Sequence, residues 1–587
     1  PRLRFKNKRI PKNWEPPFVP VDVRLELRSD GGASLLAKCN IDPTVVPVTS
    51  FRGGAVAALS HWENWCKTEL KRYHIKRNNA ADRHGVSGIS PWVHYGMIAP
   101  TKVTRDAANI GGKGAEKFLD EMLVFREHAQ HHAHAVDNPE AWSNIPTWAR
   151  LSLTDRPGEV EVIPTIEMER GSTGDELWDS AQIGLLRHGV MHNNVRMTWG
   201  KAFAGWRQDP AEAMRLALEF NDRYALDGRD SSSIAGVQWC FGLFDRAFGP
   251  PDPIMGKVRK RPTSTHMKRL DMDEYKGWTE QATTGCILRV GIVGGGLSGI
   301  LAARLLKDLG HSVTVWDKGS EIGGRLTTKQ LENGEIIQIG SQSLDSVPYW
   351  FLRMAKDWGH NGMIRVDSRS ITPIAPLTTL LEKIGDGIEI NHKCTVNRIR
   401  EYEDGIEISI NSDAGERVES YDRLILAGPI EQVQALCSQL SIDVCGKSEP
   451  ILVAWGPSHL FDSLAPTGLT ISRLDGCEKI MVKLDPERSR SLLEKSKKEI
   501  AIEVASLLGI SSEGWIAHKW RYSRATEGPG SVVTKSRVSL IGDAFGKPLG
   551  TAGAALDSAA RAVADMHLST PALRLERRQF QTSLADW

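Results

Sequence analysis

The sequence predicts a multidomain protein: a mainly helical half over residues 51–276, a polar linker at 277–287, and an α/β half over 288–568. Three observations predict it. The chain has 587 residues, more than one core organises at about 100–200 residues per domain. Windows 115–129, 176–188 and 210–226 place apolar residues at i, i+3 and i+4, the spacing of one helix face. From Leu288 the pattern changes to short apolar runs alternating with helices, and 406–410, 423–427, 479–483 and 538–542 read as strands. At the ends, residues 1–50 mix prolines with basic side chains without a sustained period, which reads as an irregular arm or the remnant of an upstream domain. Residues 569–587 read as a tail.

Composition narrows the function classes. Hydrophobic residues at 41% and charged residues at 25% exclude collagen-like and mostly disordered chains. A net charge of +2 means that any phosphate partner must be met by a local basic face. Eight cysteines without a CxxC pair argue against a disulfide scaffold or a structural zinc site, and fit a reducing compartment: cytoplasm in a bacterium, nucleus or organelle in a eukaryote. The most apolar stretch, 290–303, is shorter than the roughly 20 residues of a membrane-spanning helix, so no membrane partner is expected. Tryptophan (18) outnumbers tyrosine (8), an excess of indole that suits stacking or electron transfer beside ordinary packing.

In the α/β half, residues 289–299 read as a buried strand running into GxGxxG, with Gly294, Gly296 and Gly299, and then a helix. The first glycine makes the tight turn, the second admits a pyrophosphate to the backbone, and the third lets helix and strand close up. A second strand, 311–316, ends at Asp317, about 20 residues on, where a carboxylate meets ribose hydroxyls. The run 317–325, with Gly324 and Arg325, resembles the "GGR" signature of FAD-dependent amine oxidases, and 539–545, with Gly542 and Asp543, resembles the late "GD" motif of flavin enzymes. With 518–524 (HKWRYSR) and its compact length, the region 288–568 looks most like renalase-type oxidoreductases. The resemblance implies a Rossmann-type FAD/NAD(P)-binding domain with an inserted α+β substrate domain. Arg325 would neutralise pyrophosphate, Asp543 would reach the ribityl or phosphate region, and the helix from Gly553 would present N–H groups to the isoalloxazine. It implies oxidation of a small reduced substrate, a nicotinamide or an amine, with NAD(P)H as reductant or substrate. Where relatives carry an aromatic, acid-bearing strand, this chain reads IIQIGSQSL at 336–344, which alters the active surface.

In the helical half, 86–96 (VSGISPWVHYG), 221–230 (NDRYALDGRD) and 256–259 (GKVR) resemble the class II cyclobutane pyrimidine dimer photolyases, over about residues 41–275. The implied fold is the all-α photolyase/cryptochrome FAD-binding domain, giving one FAD in each of two domains. The resemblance places Tyr73, Ser87, Gly88, Ile89 and Ser90 near the FAD phosphates, Arg126 near the cofactor, an Arg196–Asp227 ion pair beside the isoalloxazine, and Asn221 at flavin N5. It makes Glu121 the acid that hydrogen-bonds the dimer carbonyls, Trp239 a stacking wall, Met197 a soft contact, and Arg77 and Asn78 the pocket edge. Phe125 stands where related enzymes often have Trp. Trp199 and Trp206 are seven residues apart, two helical turns and about 10.5 Å, and with Trp178 they coincide with the three tryptophans through which class II photolyases reduce their flavin under light.

Lys257, Arg259, Lys260, Arg261, Lys268 and Arg269 form a basic run expected to neutralise phosphates of UV-damaged DNA. His128, His131, His132 and His134 crowd one stretch without HExxH, and no metal site is assigned. The expected function is light-driven repair of cyclobutane pyrimidine dimers by electron transfer from reduced FAD, joined to an FAD-dependent oxidoreductase. The alternatives are a cryptochrome-like photoreceptor without repair, or a nicotinamide or amine oxidase with a non-catalytic photolyase-like domain. The first 50 residues hold no βαβ pattern, so the antenna domain usual in photolyases is either lost or upstream of Pro1.

Overall fold

The computed structural model describes residues 39, 41–49, 51–330, 334, 336–457, 468–473 and 479–569. Most of the expected arm and nearly all of the expected tail lie outside them. The described residues from Thr44 on form one compact unit.

Up to Leu288 the described elements are helices. Their ends obey local chemistry. Asp175 accepts from Trp178 N to start Glu176–His188, and Gly189 in the left-handed region (φ 65°) ends it. Asp209 with Pro210 starts Pro210–Tyr224, and Asp230 accepts from Ser232 N to start Ser231–Trp239. Each such cap is worth about 1 kcal/mol. The window expected as a helix at 115–129 is more elaborate than its periodicity. Gly112–Asp120 and Arg126–Ala135 are α-helices joined by a π-helical turn, Glu121–Phe125. Periodicity does not reveal the extra residue of a π-turn, a feature frequent at functional sites. Trp178, Trp199, Phe203 and Phe220 fill the core between these helices.

The α/β half centres on a six-stranded sheet in the order Val533–Lys535, Val538–Leu540, Arg423–Leu426, Arg289–Val293, Ser312–Trp316, Glu389–Asn391. All pairings are parallel except that of the edge strand Val533–Lys535. The buried runs of its central strands follow from helices covering the sheet; Leu297–Asp308 and Ala552–Ser569 share its core. A three-stranded meander (Thr395–Glu401, Ile406–Ser412, Gly415–Tyr421) adds a further layer. A four-stranded antiparallel sheet, Leu469–Arg473, Lys479–Leu484, Lys447–Pro457 and Ile516–Glu527, packs on helix Lys497–Leu507.

The polar stretch 277–287 is partly a packing element. Helix Met272–Thr279 reaches into it, and Trp278, Thr279, Ala282 and Thr283 are buried. Arg187 of the helical half donates to the carbonyls of Glu280 and of Asp308 in the α/β half. Nearby, buried Glu169 receives both Nη1 contacts of Arg353 (2.8 and 2.7 Å), Arg223 at 3.3 Å and the hydroxyl of Tyr224. Arg353 also bonds Glu219. Burial would raise the Glu169 carboxyl, but Arg353 and Arg223 hold it below its usual range. An ion pair in which one guanidinium nitrogen is shared by both Glu169 oxygens therefore crosses between the halves.

Candidate functional site

In the helical half, two clusters form. The first is ionic. Arg196 Nη2 lies 3.2 Å from Asp227 Oδ1, and Ser90 Oγ donates to Asp227 Oδ2 at 2.7 Å. Burial alone would raise the Asp227 carboxyl; Arg196 and Ser90 instead keep it low and charged. Arg196 Nη1 donates to Ser233 Oγ at 3.0 Å. Arg126 Nη2 (3.2 Å) and His94 Nδ1 (3.3 Å) converge on Asp230 Oδ2. The loop of Ser87, Gly88 and Ile89 leads into Ser90, and a Cβ at Gly88 (φ +58°) would meet nothing, so the backbone there faces open space. Ser232 Oγ is buried without a partner. An open glycine, a buried unmatched hydroxyl and guanidinium groups held on carboxylates fit a phosphate-bearing flavin.

Asn221 departs from expectation. Its amide is 1% exposed and already hydrogen-bonds Ser233 Oγ and Asp222 Oδ1. The chain's own bonds orient it, so it is linked to Arg196 through Ser233 rather than left free for flavin N5.

The second cluster hangs on the π-turn. Glu121, at its start, pairs with Arg77 at 2.6 Å and Lys117 at 3.0 Å. Phe125, at its end, packs on Trp239 with centroids 5.7 Å apart. Phe125 is 41% exposed, so this wall is open. Tyr73 joins the group, its phenol pushed up by burial and by the Glu121 charge. The role expected of Glu121 changes with these partners. A carboxylate held by two cations only accepts hydrogen bonds, so Glu121 can receive an N–H from a bound group while Arg77 beside it can donate. Met197 lies on helix Asn193–Trp206, packed against the helical core.

On that helix, one turn beyond Arg196, begins the tryptophan run. Trp178 stands between the other two, 6.1 Å from Trp199 and nearly parallel to it (12°), and 4.9 Å from Trp206. Trp178 Nε1 donates to the Trp199 carbonyl and Trp199 Nε1 to Gln182 Oε1, both at 3.0 Å.

Of the basic run, Lys257, Arg259, Lys260, Lys268 and Arg269 are exposed. Lys260 pairs with Asp252 at 3.1 Å, and Arg246 and Arg259 both lie over the Phe248 ring. Arg261 differs: it turns inward to Asn194 Oδ1, while Asn194 Nδ2 donates to the Asn78 carbonyl at 2.7 Å. It joins the basic face to the pocket edge instead of standing free on that face. His128 and His132 set their rings edge-on against Phe244. Among the described residues no His/Cys/Asp/Glu group is arranged to hold a metal, and no helix is long and apolar enough to cross a membrane.

In the α/β half the glycines meet their three demands. Gly294 has φ +115°, and a Cβ there would stand 2.8 Å from the Ala427 carbonyl. At Gly296 a Cβ would meet nothing within 4 Å, and at Gly299 it would stand 2.0 Å from the Gly294 carbonyl. The open Gly296 fits close approach of a dinucleotide. Gly323 N donates to the Gly295 carbonyl at 3.1 Å, and Gly324 (φ +53°) lies against Gly296, so the GGR loop closes on the first loop.

Three expectations change here. Asp317 accepts from Gly295 N (2.5 Å) and Gly319 N (2.6 Å), so its carboxylate braces the glycine loop as well as standing at the strand end. Arg325 and Asp543 are spent on each other: Nη1 and Nη2 reach the two carboxylate oxygens at 2.7 and 2.8 Å, and Ala525 N donates to Asp543. Against burial, each holds the other charged. Arg325 is thus no free neutraliser of pyrophosphate. The start of helix Ala552–Ser569 is capped from within, Ala552 N by Asp345 Oδ1 (3.1 Å) and Gly553 N by the Asp345 carbonyl (3.0 Å). Gly542 N donates to Ser558 Oγ at 3.0 Å.

Sequence reasoning missed Asp230, Ser233, Lys117 and Asp345. Asp230 was findable, because an Asp followed by three serines before an apolar run is an N-cap signal; Ser233 and Asp345 act across long sequence separations and carry no local mark.

Known proteins resemble each half separately. A family model for an NAD(P)-binding Rossmann-like domain matches residues 292–358. A deoxyribodipyrimidine photo-lyase of Methanothermobacter thermautotrophicus is 36% identical over 239 residues, 40% of this chain and 52% of that protein. One from Oryza sativa subsp. japonica is 29% identical over 276 residues, 45% of this chain and 54% of that protein. The flavin-containing amine oxidase B of Rattus norvegicus is 38% identical over 68 residues, 12% of this chain and 13% of that protein. The chain spans about half the length of the photo-lyases it matches.

Proposed function

We propose that this chain, a photo-lyase homologue in its N-terminal half joined to a half resembling flavin oxidoreductases, repairs cyclobutane pyrimidine dimers in DNA under blue light and carries a second, renalase-type FAD site. The observation that carries the reading is the π-turn that sets Glu121, ion-paired with Arg77 and Lys117, one end away from the open Phe125–Trp239 wall. A flipped-out dimer needs such a pocket: flat apolar faces for its rings and fixed polar groups for its edges. FAD, when bound, supplies the electron that splits the dimer.

The chain's own residues do the rest. Glu121 accepts from the pyrimidine N–H, and Arg77 donates to its carbonyl. Phe125 and Trp239 stack the bases and keep water from their faces. Arg196, held on Asp227, places a fixed positive charge in the ionic cluster, where it favours negative charge on a nearby ring. The exposed Lys257, Arg259, Lys260, Lys268 and Arg269 meet DNA phosphates. The class II assignment rests on the three segments at 86–96, 221–230 and 256–259 together with the tryptophan run.

The test is repair of a thymine-dimer oligonucleotide by the purified, flavin-reduced protein under blue light, beside a dark control and Glu121→Ala. Light-dependent repair that falls at least about tenfold in the variant, a loss of roughly 1.4 kcal/mol of transition-state stabilisation, is expected. No repair by a protein whose flavin binds and photoreduces would sink the reading in favour of a photoreceptor.

A further inference from the structure

The tryptophan run and the α/β half meet at one place. Trp178 and Trp199 both pack on Phe203, at 5.7 and 4.8 Å. Phe203 packs on Phe220 at 5.7 Å, and over Phe220 lies the guanidinium of Arg353, 5.9 Å from the ring centre. Arg353 belongs to the α/β half. A second route leaves the other end of the run. Arg207 donates to the carbonyl of Trp206 and to Thr165 Oγ1, and the next backbone amide, Ile166 N, donates to Asp357 Oδ2 at 2.9 Å. Trp358, beside Asp357, is buried in the same core cluster as Ile166.

Both routes land on one short segment, the helices Tyr349–Met354 and Lys356–His360. There Phe351 lies 5.9 Å from Trp350 and 6.3 Å from Trp358. These rings share a core cluster with Leu297, which opens the helix after the glycine loop, and Leu326, which follows Arg325. The segment is clamped to the helical half by the buried Glu169–Arg353 pair. Aromatic rings therefore stand on both sides of the seam between the halves, joined across it by Arg353 on Phe220 and by the hydrogen bonds of Arg207 to Trp206 and Thr165 and of Ile166 to Asp357.

We infer that the tryptophan run is an internal electron conduit, in which Trp206 is refilled from the α/β half across the Ile166–Asp357 contact beside Trp358 rather than by a reductant diffusing from solution. The inference rests on the two-flavin reading above. Under light one electron leaves the run for the flavin of the helical half, and Trp206 ends oxidised by one electron. A flavin bound in the α/β half would supply two electrons drawn as a hydride from a reduced nicotinamide: Trp206 would recover one, the other would serve a second cycle, and the proton would pass to water. The fusion then supplies photoreduction without an outside electron donor other than the nicotinamide.

The experiment is flash photolysis of the two-flavin holoprotein without oxygen, following the tryptophanyl radical with and without NADPH. The radical is expected to decay about tenfold faster or more with NADPH, at a rate independent of protein concentration. Gly296→Val, whose side chain enters open space and blocks the second site, and Trp358→Phe, which keeps the ring packing, are each expected to return the decay to the value without NADPH while the radical still forms. A radical that forms and decays equally fast in wild type and Gly296→Val overturns the inference and leaves the repair reading standing. No radical at all in the wild type with flavin bound overturns both.

Discussion

Adding the same methyl group at two glycines of the dinucleotide loop is expected to do opposite things. At Gly299 the new Cβ would stand 2.0 Å from the Gly294 carbonyl oxygen and 3.3 Å from Ala427 Cβ. A backbone carbonyl cannot swing aside as a side chain can, so helix Leu297–Asp308 must lift from strand Arg289–Val293. Ten of that helix's twelve residues are buried, and the shift disturbs the core they share. Overpacking of this kind costs about 1–3 kcal/mol, and a backbone obstacle puts Gly299→Ala near 3. With about 2–4 °C per kcal/mol, the melting transition should fall by roughly 6–12 °C. At Gly296 the backbone is extended (φ −82°, ψ −175°) and a Cβ meets nothing within 4 Å. Gly296→Ala should leave stability unchanged or raise it by about 0.4–1 kcal/mol through the unfolded chain. On the proposed second flavin site, it should nevertheless weaken binding there about tenfold or more, some 1.4 kcal/mol, because the methyl enters the open space at which a pyrophosphate would approach. Calorimetry with flavin released per chain reads both effects. A Gly296→Ala protein that keeps its second flavin at wild-type affinity, or a Gly299→Ala protein that melts with wild type, would refute the reasoning.

Other outcomes follow from the same structure. Arg353→Ala strips the main partner from buried Glu169, a loss of about 3–5 kcal/mol, and should split one melting transition into two. Because Glu169 is held below its ordinary value of 4.5, its contribution is complete above that pH and declines as pH falls through the depressed value; a thermal melt series from pH 7 to 3 should show the wild-type transition approaching that of Arg353→Ala only at the acid end. Replacing Lys257 and Arg259 together by Ala should lower the slope of log affinity against log salt by about 0.9 for each phosphate no longer neutralised, with repair per bound complex unchanged; an unaltered slope in a binding titration would take the DNA off this face. Asp345→Ala removes the side-chain cap on Ala552 N while leaving the backbone bond to Gly553 N, and should cost about 1 kcal/mol in denaturant unfolding.

Much of this molecule is written locally. The helix Glu176–His188 is bounded by an Asp cap and a Gly stop, both visible in order along the chain. The spacing of Gly294, Gly296 and Gly299 marks a tight turn and a tight crossing where the fold itself leaves no room for a Cβ, at Gly294 and Gly299, and an open approach between them at Gly296. The basic run shows itself because charge that must reach solvent needs no partner elsewhere in the sequence. The seven-residue step from Trp199 to Trp206 places both on one helix, as they are.

Tertiary structure decided the partners of charged and polar groups. Arg325 and Asp543 stand 218 residues apart in sequence, and only the folded sheet shows that each neutralises the other. Glu121 carries two cations, which makes it an acceptor, and Asn221 is already held by Ser233. Trp178 comes between Trp199 and Trp206 although it precedes both in the chain. The π-turn at Glu121–Phe125 and the ion pair from Glu169 to Arg353 were likewise decided in three dimensions. The physical reason is common to all: hydrophobic period and turn chemistry act over one or two turns of chain, whereas a buried charge is stable only beside whichever opposite charge the completed fold delivers.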